Sequence, residues 1–284
     1  MESYINNLIK QALAEDAPNG DITVDSLIPE KQAATAQIIA KESGIFFGHS
    51  ILDLAFKQAD KHAIVTLYKN DGDAIKAGDL ICRIESNHNA ILLVERSALN
   101  LIQRLSAIAT LTKTYADTLN NPKIKLLDTR KTTVGLRALE KAAIVAGGGS
   151  NHRMGLSDMV LIKENHLSIL EKNGQLDKLA QKLEHFKAKH PTINIEIEIE
   201  TLEQLKQFPL HLVQYILLDN FSLDTLKSAI SYCRTHYPNA DIECSGGITL
   251  DTIQQYSDLD IDRLSIGALT HSVTAFDFSL LMEI

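Results

Sequence analysis

The sequence predicts an α/β fold in two parts, an N-terminal α/β piece followed by a parallel-stranded barrel. Three observations carry this. From residue 123 onward, short apolar runs alternate with helical stretches, which implies βα units and a parallel sheet with crossovers of one hand. Polar residues collect where those runs end, at Asp128-Thr-Arg-Lys131, Lys163, Glu198, Glu200, Asp219, Ser245 and Gly267. Before residue 94 this repetition is missing, and β-rich stretches are joined by turns such as Asn70-Asp-Gly-Asp73 and Lys76-Ala-Gly-Asp79. Polar strand ends suit a closed barrel, whose site lies at the carboxyl rim, better than an open doubly wound sheet, although periodicity alone does not report closure.

Residues 3–15 place Ile5, Leu8, Ile9, Ala12 and Leu13 at helical spacing behind Ser3 as N-cap. The turn-rich Asp16-Ala-Pro-Asn-Gly20 ends that helix. A strand follows over 33–40 and a helix over 49–60. The stretch 65–85 is similar to the small β-sandwich of biotinyl and lipoyl carriers. It lacks a lysine within an attachment motif at a hairpin tip, so it reads as scaffold. A helix over 94–120, with Leu99, Ile102, Leu105, Ile108 and Ala109 on one face and no Pro or Gly inside, bridges the two parts. Strands over 123–128, 159–163, 194–200, 215–219, 240–244 and 263–266 then alternate with helices over 135–146, 168–190, 201–207, 222–236 and 249–257.

Composition narrows the function classes. The chain carries a net charge of −8, which excludes general affinity for nucleic acid. Yet 11 Lys/Arg stand against four acids between Arg96 and Lys163, a basic segment able to build a local site for a small anion. The longest aliphatic run of note, Ala90–Val94, is far short of a membrane span, and Met1-Glu-Ser-Tyr-Ile-Asn-Asn lacks the marks of a secretion signal. Three dispersed cysteines fit neither a disulfide framework nor a zinc cluster. A soluble, cytoplasmic protein is expected.

Four segments carry chemistry. In Asp128-Thr-Arg-Lys-Thr-Thr133, Arg130 offers a planar fork to a carboxylate or phosphate and Lys131 a point charge. Gly147-Gly-Gly-Ser-Asn-His-Arg153 permits close backbone approach and then presents His152 and Arg153 together. It is neither a dinucleotide fingerprint nor a Walker loop. In Asn194-Ile-Glu-Ile-Glu-Ile-Glu200, alternation puts Glu196, Glu198 and Glu200 on one face and three Ile on the other. With helices covering the Ile face, the acids turn to the barrel lumen, where they demand cations or a metal, and Asp219 lies at the same rim. Finally, Ser245-Gly-Gly and Ser265-Ile-Gly267 are glycine-rich loops after the last two strands, suited to cradle a phosphate. Cys244 beside the first loop has no His placed to activate it and reads as packed.

Taken in order, these segments resemble the quinolinate phosphoribosyltransferase family. The resemblance runs through Glu15-Asp-Ala-Pro-Asn-Gly-Asp-Ile-Thr23, Glu95-Arg-Ser-Ala-Leu-Asn100 and Asp128-Thr-Arg-Lys-Thr-Thr133. It continues in Gly147-Gly-Gly-Ser-Asn-His-Arg-Met-Gly155, Leu161-Ile-Lys-Glu-Asn-His166, Ser245-Gly-Gly247 and Gly267-Ala-Leu-Thr-His-Ser272. Two positions depart from it, Val134 in place of Pro and Glu164 in place of Asp, and neither removes a charged group of the expected site.

The resemblance implies an incomplete α/β barrel of the type II phosphoribosyltransferase kind over 105–272. Joined to it is an N-terminal α/β sandwich over 1–104, completed by the C-terminal segment 273–284. It implies transfer of phosphoribosyl from phosphoribosyl pyrophosphate to quinolinate with decarboxylation, giving nicotinate mononucleotide in NAD biosynthesis. It also implies Mg²⁺ and a homodimer with a shared site. Carried over by motif, Arg130, His152, Arg153 and Lys163 hold the two carboxylates of quinolinate, and Arg96 reaches in from the other subunit. Lys131, Glu198 and Asp219 serve the phosphoribosyl pyrophosphate and the metal, with Glu196 and Glu200 as alternatives to Glu198. Ser245, Gly246, Gly247 and Gly267 hold the 5′-phosphate. A paralogous phosphoribosyltransferase for another ring acid and a non-enzymatic carrier are the rival readings, and the four-cation set favours a dicarboxylate.

Overall fold

The computed structural model describes residues 1–28 and 30–283. They form two compact units. The first comprises Met1–Lys113, Ala138–Gly148 and Ser272–Ile284, and the second Thr114–Arg137 and Gly149–His271. The sequence division ran at 104; in the structure the first unit extends to Lys113 and takes in the segment 138–148.

In the first unit, β1 (Ala33–Ala40), β3 (Ile64–Leu67), β5 (Leu80–Asn87) and a C-terminal strand (Phe278–Glu283) form an antiparallel sheet, while β2 (Gly44–Ile45) pairs with β4 (Ala74–Ile75). The C-terminal strand lies beside β1, with Ile38 opposite Leu280 and Ala40 opposite Phe278. Period-two burial sets the inward face of β1, since Ala36, Ile38 and Ala40 are all buried. Helices Glu2–Asp16 and His49–Ala59 pack together on this unit, the former through Ile5 and Ile9. The first helix begins at Glu2, so Ser3 is not its cap; Met1 stands there and Glu2 faces the positive helix end. A short helix unforeseen in the sequence, Ile22–Leu27, is capped by Asp21, whose side chain accepts from the Thr23 and Val24 amides. The long helix starts six residues before its predicted start and spans His88–Leu119.

The second unit is a six-stranded parallel sheet of β6 (Lys125–Leu127), β7 (Met159–Ile162), β8 (Asn194–Ile199), β9 (Tyr215–Asp219), β10 (Asp241–Ser245) and β11 (Arg263–Ser265). The strand order is β6-β11-β10-β9-β8-β7. Read as a ring, this is sequence order with the last strand returning to the first and a seam between β6 and β7. That is an incomplete α/β barrel, and the doubly wound alternative falls, because such a sheet reverses its order at a switch point. Ser150 makes a parallel bridge to Leu127, so the chain leading to His152 runs along the free side of β6.

Ile195, Ile197 and Ile199 are fully buried, while Glu196 and Glu198 turn to the opposite, also buried, side. The helix expected over 168–190 is broken into Glu164–Lys172 and Leu179–Lys189, because Gly174 takes φ +60 and lets the chain turn. Over 249–257 only a short 3₁₀ turn forms, Ile253–Tyr256. No described helix is long and apolar enough to cross a membrane.

Candidate active site

The rim of the second unit is built strand by strand. At the end of β6, buried Asp128 accepts the His152 amide at 2.9 Å, which fixes the glycine-led segment against the strand. Arg130 and Lys131 follow in the exposed turn. The Lys131 carbonyl accepts the Thr270 hydroxyl at 3.0 Å, tying this turn to the loop after β11. A Cβ on Gly267 would lie 3.1 Å from the Lys131 stem and 3.0 Å from His271 Nε2, so Gly267 lets the lysine side chain pass close. Arg153 donates to the Met159 carbonyl at 3.1 Å. Burial and then the nearby Arg130 guanidinium disfavour its charge. The two arginines are therefore close enough for each to feel the other's charge.

Next round the ring, Lys163 after β7 reaches Glu198 of β8, with Nζ 2.5 Å from Oε2. At the end of β9, the Ser245 hydroxyl donates to one oxygen of Asp219 and the Asn220 amide to the other at 2.6 Å. The loop after β10 takes φ +94 at Gly246 and +64 at Gly247, a backbone that L side chains rarely adopt. Arg130, Lys131, Lys163, Asp219, Ser245, Gly246, Gly247 and Gly267 sit at or beyond the carboxyl ends of their strands, Glu198 is the penultimate residue of β8, and His152 and Arg153 stand in the segment before β7 that Ser150 ties to β6. Arg96 belongs to the first unit, on the helix His88–Leu119, with an exposed side chain beside Glu95.

Beneath the rim lies a buried network that the sequence reading did not assemble. His152 Nε2 stands 3.2 Å from Glu196 and 3.3 Å from Glu243, both fully buried. Glu243 also meets Arg263 Nε at 3.0 Å and accepts the Ser265 hydroxyl, while the Arg263 guanidinium stacks over Tyr215 at 4.0 Å. Burial disfavours the charged imidazole, but the two carboxylates outweigh it and raise His152 to about 9. The Arg153 amide acts oppositely, donating to Nδ1 at 2.7 Å and favouring the ring that carries its hydrogen on Nε2 alone. In both forms Nε2–H points at the carboxylates. Burial and then Glu243 raise Glu196, whereas His152, Arg263 and Ser265 overcome burial and hold Glu243 below the usual range.

Among the described residues, two sets have metal-ligating atoms within 4.8 Å of one another, His152/Glu196/Glu243 and Glu198/Glu200/Asp219. The first already has His152 and Arg263 at ion-pair distance as positive partners, although Glu196 Oε1 and Oε2 and Glu243 Oε2 accept no hydrogen bond. The second joins three carboxylates, the donor type of a hard divalent cation, with Lys163 on Glu198 and with Ser245 and Asn220 on the two oxygens of Asp219. Glu200 is raised by desolvation and then by Glu164, Glu198 and Asp219, a crowding of negative charge that a cation would relieve. Cys244 is buried with its thiol pushed up by burial, as the packed reading expects.

This geometry was compared with known proteins. The family model described as quinolinate phosphoribosyl transferase, C-terminal domain, matches residues 108–281, and that of the N-terminal domain matches 21–106. The chain belongs to the quinolinate phosphoribosyltransferase family. It is 40% identical over 280 residues to the Bacillus subtilis (strain 168) protein named "Probable nicotinate-nucleotide pyrophosphorylase (carboxylating)", covering 97% of this chain and 92% of that one. It is 38% identical over 296 residues to the mitochondrial quinolinate phosphoribosyltransferase (decarboxylating) 2b of Nicotiana tabacum, covering 98% and 82%. Among solved structures, NadC from Streptococcus pyogenes superposes with a TM-score of 0.90 at 34% identity, covering 100% of this chain and 98% of that one. The nicotinate-nucleotide pyrophosphorylase from Francisella tularensis gives 0.88 at 33%, covering 100% and 97%.

Proposed function

We propose that the rim of the incomplete barrel joins quinolinate to the phosphoribosyl group of phosphoribosyl pyrophosphate and releases pyrophosphate and CO₂, as expected of this family. The chain is a pentosyltransferase of NAD biosynthesis, a quinolinate phosphoribosyltransferase. What supports the site assignment is the placement of Arg130 and Lys131 in the turn after Asp128, which itself accepts the amide of the His152-Arg153 segment, with Lys163 at the end of β7. Two neighbouring guanidiniums repel one another in the free site, and a dianion between them removes that cost. Across the ring, Glu198, Glu200 and Asp219 form an anionic half beside the glycine loops.

The pyridine nitrogen donates its lone pair to the anomeric carbon of the sugar as the carbon–oxygen bond to pyrophosphate breaks. Glu198 and Asp219 favour the cationic character that builds on the ribose, and Lys131 offsets charge on the departing group. The Ser245–Gly247 amides and Gly267 would cradle the 5′-phosphate. Once alkylated, the ring nitrogen is positive and accepts the electron pair left at the adjacent carbon as CO₂ departs. A proton from water then completes nicotinate mononucleotide. The attacking nitrogen carries no proton, so no protein base is required. Arg130, Arg153 and Lys163 orient the carboxylates, while His152, whose ring nitrogens face the Arg153 amide on one side and Glu196 and Glu243 on the other, positions the segment that carries Arg153.

Glu198 and Asp219, with Glu200 beside them, would hold Mg²⁺, which when bound neutralises pyrophosphate oxygens. The working unit is a cytoplasmic homodimer in which Arg96 completes the neighbour's site. The exposed side chain of Arg96 and the three buried, unpaired cysteines support that reading.

Steady-state assay with quinolinate, phosphoribosyl pyrophosphate and Mg²⁺ tests the activity. Equal amounts of nicotinate mononucleotide, pyrophosphate and CO₂ are expected, and absence of turnover at saturating Mg²⁺ would overturn it.

A further inference from the structure

Asn220 is the one non-glycine residue of the rim with a left-handed backbone, φ +57, at the point where β9 ends. Its contacts run two ways. Its side-chain amide donates to Asp219 at 2.6 Å, filling the carboxylate oxygen that Ser245 does not. Its backbone amide donates to the Ser245 carbonyl at 3.0 Å, and its side chain fills the space under the next loop. A Cβ on Gly246 would lie 2.1 Å from the Asn220 carbonyl oxygen and 2.6 Å from Cγ. The glycine is thus imposed by Asn220 as well as by its own backbone angle. One side chain therefore fixes both the carboxylate and the loop that follows the next strand.

We propose that Asn220 is a positioning residue for phosphoribosyl transfer, locking Asp219 and the Ser245–Gly247 loop into a single rigid cradle. The proposal rests on the reading of Asp219 as the sugar-side carboxylate and of that loop as the 5′-phosphate site. Both act on one substrate molecule, at two ends of the ribose. Fixing their separation sets where the anomeric carbon stands relative to the incoming nitrogen, and misplacement there costs rate more than binding. Left-handed asparagine is suited to the task, because it tolerates the backbone while offering a short amide donor.

Asn220→Gly keeps the permitted backbone and removes the amide; Asn220→Asp keeps the shape but sets a like charge against Asp219. Each is compared with wild type for thermal unfolding, kcat, the KM for phosphoribosyl pyrophosphate, and quinolinate affinity measured by calorimetry without the second substrate. Asn220→Gly is expected to unfold near the wild-type temperature and lose about tenfold in kcat, with KM changing less than about threefold and quinolinate affinity unchanged. Asn220→Asp is expected to lose more in kcat. A fall in kcat of less than about fivefold in Asn220→Gly overturns the proposal, as does a loss carried by KM alone. Should that variant not fold, Asn220→Asp decides by the same threshold. Failure of the functional reading itself is distinguished by wild-type protein that does not turn over; the cradle is then read from the thermal shift that phosphoribosyl pyrophosphate gives in wild type and variant. An equal shift overturns it, and a smaller shift in the variant supports it.

Discussion

Lys163 and Glu198 meet at 2.5 Å across the neighbouring strands β7 and β8, joining the cationic half of the rim to the anionic half. In the free site each neutralises the other. Removing the carboxylate by Glu198→Gln leaves Lys163 free to act on quinolinate alone. The variant is expected to bind quinolinate as tightly as wild type or a few-fold tighter, while kcat falls by about tenfold or more. Calorimetry with quinolinate and steady-state kinetics measure the two effects, and weaker quinolinate binding would contradict the pairing.

Arg130 and Arg153 trade stability against binding. Truncating Arg130 relieves the repulsion felt by Arg153. Arg130→Ala is therefore expected to unfold at or slightly above the wild-type temperature but to lose about 1.5–3 kcal/mol of quinolinate affinity. Arg153→Ala should lose a similar amount of affinity. Unchanged quinolinate affinity in both variants would place the dicarboxylate elsewhere.

The proposed sharing of the site between subunits is open to complementation. Arg96→Ala and Lys131→Ala proteins, each nearly inactive, are expected to regain activity when mixed, because a hybrid dimer contains one site with neither change. Up to about a quarter of wild-type activity is the statistical ceiling with free exchange of two-site dimers. Native mass spectrometry establishes exchange, and no regain after it would refute a shared site.

Stability should fall as the solution becomes alkaline. His152 titrates at about 9 in the folded chain against 6.5 when unexposed to the network. Its contribution is thus fully present below pH 6.5 and is lost as the pH rises through about 9, an amount of at most about 3 kcal/mol that the Arg153 amide reduces. Cys82 and Cys233, pushed up to about 12 by burial, extend the fall beyond pH 9 as the unfolded chain releases thiol protons. Urea unfolding across pH 6–10 measures the slope, and His152→Gln should flatten it between 6.5 and 9. An unchanged slope would show that the network holds no extra proton.

The alternation in 194–199 was legible because period-two patterning in a strand covered by helices leaves only the lumen for Glu196 and Glu198, whereas Glu200, also expected inside, lies beyond the strand end and is exposed. The same alternation was present in Asp241-Ile-Glu-Cys-Ser245 and Arg263-Leu-Ser265, so Glu243 and Arg263 could have been placed inward. Their meeting with His152 could not, because it depends on the register of β10 against β11, where Glu243 stands opposite Arg263. The break at Gly174 was missed for a different reason. A single glycine in an otherwise helical stretch signals only a cost of about 1 kcal/mol, and tertiary packing decides whether the chain turns there. Asn220 gave no periodic signal, since its contacts depend on a left-handed backbone at a strand end and on the loop of the next strand.

The seam between β6 and β7 leaves the sheet something a closed ring does not have, an edge. Along β6 the bridge to Ser150 covers it, but among the described residues β7 pairs only with β8. Unpaired amides and carbonyls on a strand end are a template for a foreign strand, the route by which sheets stick to one another. Here the run is four residues long, Met159–Ile162, and a lysine follows it directly. Brevity and charge guard it, so lengthening the strand or replacing Lys163 by an apolar residue would expose the molecule to self-association as well as to loss of turnover.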